Sequence, residues 1–103
     1  MDAELILAPE AEQDVEEGYA WHEARRLGLG EDFLGSIEAC LQAICRSPEM
    51  HSIVYESYRR ALVRGFPYTV FYEYAEDTVT VYGVFALPAV RTNGVDAFLE
   101  LLS

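Results

Sequence analysis

The sequence contains no lysine. Its seven basic side chains are all arginine, set against eighteen acidic ones, and the net charge is −11. A protein that tracks a phosphate backbone gains affinity by releasing counterions with Lys and Arg. This chain as a whole repels nucleic acid, so any RNA or DNA contact needs a local arginine patch working against the global field. Most simply, the acidity keeps the protein soluble. Cysteine is scarce too: only Cys40 and Cys45 are present, both in one amphipathic stretch. Five residues along a helix separate them by roughly 7.5 Å of rise, and they point in different directions, which excludes a disulfide between them if the helix forms. The histidines, His22 and His51, are also only two. No second pair of Cys or His has metal-ligand spacing, so neither a metal nor a cofactor is expected, and free thiols suit a reducing cytosol. No run approaches the ~20 apolar residues that span a membrane. The acidic start, Met1 to Glu4, is not that of a signal peptide. The expectation is a cytoplasmic protein that does not engage a membrane.

What is present suffices for one small core. A chain of 103 residues is one domain by length, covering 1–103, and 51% of it is apolar. A domain this small is only marginally stable alone, so a partner that covers apolar surface would matter. Residues 3 to 8 read as a short strand. Pro9 then stands where a helix starts, with Glu10, Glu12 and Asp14 near its positive end. Ala11, Val15, Tyr19 and His22 recur at spacings of four, four and three, one helical face. Arg25, Arg26 and then Gly28 mark its end. A second helix runs from about Gly30 or Glu31 to Arg46, with Phe33, Leu34, Ile37, Leu41, Ile44 and Cys45 as its apolar stripe, and Ser47-Pro48 stops it. The short glycine-rich turn between the two predicts an antiparallel helical hairpin.

After Pro48 the pattern becomes that of strands. Ile53 to Val63, Phe66 to Tyr74 and Thr78 to Ala86 are rich in Val, Tyr, Phe and Thr. Arg64-Gly65 and Ala75-Glu76-Asp77 are tight connections between them. Pro88 breaks the last strand or its exit, and residues Gly94 to Leu102 suit a short final helix. The order is βααβββ, with that possible terminal helix. The fold class is α+β, a helical hairpin packed on one face of a small antiparallel meander.

This order, with these words in these places, resembles the RelE/ParE toxin superfamily, also called plasmid stabilisation proteins. The matching pieces are Leu7 to Val15 leading into the first helix, the helix with Phe33, Ile37, Leu41 and Ile44, and then Pro48. The most telling are Arg59 to Tyr72, containing Phe66-Pro67-Tyr68, and Val79 to Phe85. The resemblance covers roughly residues 3 to 86. It implies the toxin of a type II toxin–antitoxin pair, held inactive by a cognate antitoxin whose C-terminal segment wraps over the sheet and helices. The family holds two mechanisms. RelE-like members cut mRNA on the ribosome with basic residues of the sheet and a C-terminal Arg or Tyr. ParE-like members inhibit DNA gyrase and are not enzymes.

The residues favour the second. Cleavage by a 2′-hydroxyl needs a base, an acid and cations, and the candidates here are Arg60, Arg64 and Tyr68. Thr69 stands where nucleolytic relatives carry arginine directly after the matching tyrosine, and no charge follows the last strand until Arg91. The acidity also disfavours the ribosome and mRNA as partners. Expected partners are therefore the antitoxin and, by resemblance, DNA gyrase. A homodimer is compatible with the sequence, as is an inactive relative that keeps only antitoxin binding. Six of the seven tyrosines fall in the strand region, where aromatics pack across strands or supply interface area. Tyr58, Arg60, Arg64, Tyr72 and Phe85 are the candidate partner-binding residues. His22 reads as a half-buried packing residue, and the acidic run from Glu10 to Glu17 as the solvated face of the first helix.

Overall fold

The computed structural model of the protein describes residues 2–87. The elements, in order, are β1 (Glu4–Leu7), α1 (Pro9–Arg25), α2 (Leu29–Arg46), β2 (Ile53–Tyr55), β3 (Tyr58–Leu62), β4 (Tyr68–Ala75) and β5 (Thr78–Ala86). The final helix expected from Gly94 to Leu102 lies outside the described residues. Five strands form one sheet in the order β1-β5-β4-β3-β2. The expected α+β arrangement and meander are present, but the sheet is mixed. β1 lies parallel to β5, with Leu5 beside Val79 and Leu7 beside Val81. These apolar neighbours, together with α1 following β1 through the single residue Ala8, place α1 across the sheet. The run from Ile53 to Val63, read as one strand, is two. It folds back at Glu56 and Ser57, where Glu56 takes a left-handed φ of 50°. Non-glycine residues rarely adopt that region, so nothing in the residue types announces the turn.

The helices cover one face. Phe33, Ile37 and Ile44 of α2 are fully buried against Val70 and Tyr72 of β4 and Val79 and Val81 of β5. Phe33 reaches α1 because residue 18 is glycine: a Cβ there would lie 2.6 Å from the Phe33 ring. The hairpin turn is held by Glu23, whose carboxylate accepts the amides of Gly28 (3.0 and 3.1 Å) and Gly30 (2.9 Å). The N-cap residue of α2, Gly28, makes no side-chain cap. Glu23 therefore neutralises orphan donors at the positive end of α2 from the preceding helix. At the far end, Ala3 N–H donates to Cys45 O (3.0 Å), tying the entry of β1 to the close of α2.

In β5 the alternation breaks. Phe71 and Tyr72 of β4 pair with Gly83 and Val81, so Tyr82 is an extra residue in a bulge. Before it, Val79 and Val81 face the helices; after it, Val84 does. Glu23→Ala is expected to lower stability by about 1–2 kcal/mol in chemical denaturation, as loss of a cap does. Glu16→Ala, exposed on α1, is expected to stay within about 0.5 kcal/mol of wild type.

Candidate partner-binding site

The register divides the sequence candidates between surfaces. Tyr58 and Arg60 on β3, Thr69 and Phe71 on β4, and Phe85 on β5 share the sheet face turned away from the helices. There Tyr58 stacks on Phe71 (5.0 Å between centroids) and meets Tyr82 edge-on (5.6 Å). Glu73 gathers this cluster, accepting from Tyr82 Oη (3.1 Å) and from Ser57 Oγ. The Phe85 ring lies over Gly83, where a Cβ would come within 2.4 Å of it. Thr69, the position at which an arginine is expected of a nucleolytic member, is 0% exposed and donates to Ala61 O (3.3 Å).

Tyr68 and Tyr72 point the other way. Tyr72 is 0% exposed and donates its hydroxyl to Pro48 O (2.7 Å); burial pushes its phenol up to about 12. It is a core residue with no surface to offer a partner, a correction to its place among the binding candidates. The signal missed was parity, since Val70 and Tyr72 share the apolar side of β4. Tyr68 packs on Phe33 (4.9 Å) and His22 (5.7 Å), and burial raises its phenol as well. Arg64 lies beyond the end of β3, exposed, on the rim of a groove between α2 and that strand. Arg60, Arg64 and Tyr68 are thus not brought together. His22 is buried and stacks on Phe33 (4.7 Å, 15°). Its Nδ1 lies 2.7 Å from Gly18 O; a carbonyl only accepts, so that nitrogen carries the proton. Among the described residues no group of three or more His, Cys, Asp or Glu could hold a metal.

A second groove, of about 610 Å³, runs between α1 and the last part of β5. Asp14, Glu17 and Trp21 form its helical wall, and Tyr68, Val84 and Leu87 line the other side. It exists because β1 stops pairing at Val81 while β5 continues to Ala86 beside β4. Asp14 takes up the difference: its carboxylate accepts the amide of Val84 (3.0 Å). Burial raises the Asp14 pKa, the Val84 bond works against that, and Glu17 and Glu10 raise it further. Sequence reasoning placed Asp14 on a solvated face. The available signal was spacing, for Asp14, Gly18 and Trp21 succeed one another at four and three.

The Asp14 contact is testable in two ways. Asp14→Ala leaves the buried Val84 amide without its acceptor and is expected to cost about 1–3 kcal/mol in denaturant unfolding. Asp14→Asn keeps an acceptor and removes the repelled charge. A carboxyl whose folded pKa is raised favours folding below its ordinary value of 3.8, and that contribution is lost as pH rises through the folded value. Asp14→Asn is therefore expected to equal or exceed wild type in melting temperature at pH 7, with the difference shrinking toward wild type as the carboxyl protonates in acid.

The geometry, two helices roofing one face of a five-stranded mixed sheet, has solved counterparts. A chain of the chromosomal ParDE toxin–antitoxin system from P. aeruginosa aligns with a TM-score of 0.62 at 10% identity, covering 84% of this chain and 97% of that one. The isolated E. coli RelE toxin aligns with a TM-score of 0.61 at 16% identity, covering 98% of this chain and 99% of that one. At such identities these likenesses show the fold. No curated protein matches the sequence. The sequence profile of the ParE toxin of type II toxin–antitoxin systems (parDE) matches residues 5–87. With that match spanning β1 to Leu87, the chain belongs to the ParE toxin family of type II toxin–antitoxin systems.

Proposed function

We propose that this toxin acts by binding rather than by catalysis, inhibiting DNA gyrase in the bacterial cytoplasm until a cognate antitoxin neutralises it. The observation that carries this reading is the dispersal of the candidate catalytic groups. Arg60 stands on the sheet face turned away from the helices, Tyr68 packs against Phe33 and His22 on the other, and Arg64 lies on a groove rim. RNA cleavage requires an acid, a base and charge stabilisation converging on one phosphate, whereas inhibition by binding requires only surface. The net charge of −11 adds to this, because it opposes an mRNA track. Tyr58, Arg60, Arg64 and Phe85 are the residues assigned to partner contact, and no cofactor or metal takes part. Among the described residues no helix is long and apolar enough to cross a membrane.

The test is induced expression alone and with the adjacent small gene, followed by a supercoiling assay with purified protein. Growth arrest relieved by the neighbour, loss of gyrase supercoiling and intact mRNA are expected. Arrest with ribosome-dependent mRNA cleavage and unaffected gyrase would replace this reading with the nuclease one. Absence of arrest from a soluble, folded product would leave an inactive relative that keeps antitoxin binding.

A further inference from the structure

The groove between α1 and β5 joins two features that oppose stability in the isolated chain. Its helical wall carries the one tryptophan of the sequence, Trp21, which stays 54% exposed although the Arg25 guanidinium lies 3.9 Å from its ring centroid. Its acidic end holds Asp14 and Glu17, with Glu10 one turn before. These carboxylates are spaced by four and three, so they repel along one helix face. A wet indole and a row of like charges on one groove are both relieved by a partner that is apolar and positive.

We propose that this groove receives a lysine- or arginine-rich, apolar-anchored segment of the antitoxin. The assignment rests on the reading of the chain as an antitoxin-neutralised toxin, and it fixes the sign of the partner's charge. Charge separates this occupant from the two others at hand. A second copy would bring another net charge of −11 against the first. The chain's own residues 88–103 carry Asp96 and Glu100 against Arg91 alone, adding acid to acid. A basic segment meets Asp14 and Glu17 with opposite sign, and its apolar side chains reach Trp21, Val84 and Leu87.

Trp21, as the only tryptophan, reports on the groove directly. The purified full chain is titrated with a peptide of alternating lysine and leucine, with its glutamate–leucine counterpart, and with the purified antitoxin encoded beside it. A saturable change in Trp21 emission is expected with the first and third and none with the second. Glu17→Lys, at an exposed position, is expected to weaken both about tenfold at low salt, with the loss closing as salt screens it. Glu38→Lys makes the same change in net charge on α2, outside the groove, and is expected to stay within about twofold. An antitoxin whose contacting segment is acidic, or one that binds Glu17→Lys as tightly as wild type, overturns the assignment of the groove and leaves the neutralised toxin standing. A neighbouring product that neither binds nor relieves growth arrest overturns that reading, and the assignment falls with it.

Discussion

Strand β5 has nine residues and its outer neighbour β1 has four, and the rest of the molecule is arranged around that mismatch. Backbone amides at a strand edge must find an acceptor, and a buried one left unpaired is expensive. For the first half of β5 the acceptors come from β1. Beyond Val81 the edge turns to α1, and the Asp14 carboxylate stands in for a strand by taking the Val84 amide. That bond fixes how closely α1 lies over the sheet, and with it the positions of Gly18, Trp21 and His22. Phe33 enters against Gly18, His22 stacks on Phe33, and Tyr68 and Phe66 close around the pair. The groove is the space left where a helix, rather than a fifth rung of ladder, faces the strand.

Helix periodicity was the most legible part of the sequence. Ala11 and His22 on α1, and Phe33, Ile37, Leu41 and Ile44 on α2, are buried as their spacing requires. The strand-rich half was legible in composition but not in register. Period-two reasoning cannot place Tyr82, because the bulge inserts it between Val81 and Gly83 and reverses the parity of the residues after it. Nor does it reveal the reversal at Glu56, since glutamate is an uncommon residue for a left-handed turn. Tyr72 shows the cost at the site: among several tyrosines in consecutive strands, only the pairing tells which ring enters the core. Asp14 was hidden for a different reason. In a run of carboxylates each looks solvated, and the one that reaches a distant strand amide is identified by a contact 70 residues away in the chain.

Placement on the sheet also separates two uses of aromatic residues in this protein. Toward the helices, Tyr68 and Tyr72 are packing elements whose hydroxyls are constrained by burial. On the other face, Tyr58, Phe71 and Tyr82 form a cluster joined through Glu73 and Ser57. Glu73 accepts the Tyr82 hydroxyl there, and the raised Tyr82 pKa has burial as its first cause and this carboxylate as its next. An acidic hub within an aromatic patch, beside Arg60 on the same face, suits a surface that is recognised by shape and hydrogen bonding.

Charge connects this fold to specificity. A binding protein discriminates by the difference between two affinities, and repulsion of the wrong partner contributes as much as attraction of the right one. With eighteen carboxylates and no lysine, this chain meets any acidic segment with an unfavourable long-range field before contact is made. At the α1–β5 groove Asp14 and Glu17 share the helical wall with Trp21, whose ring lies against the Arg25 guanidinium, so an acidic segment meets two carboxylates before its anchor reaches the indole. A segment of the right charge is attracted by that field and then desolvates the indole. Asp14, Glu10 and Glu17 repel one another along one helix face when the chain is alone, and a segment of opposite charge laid on that face would relieve the repulsion.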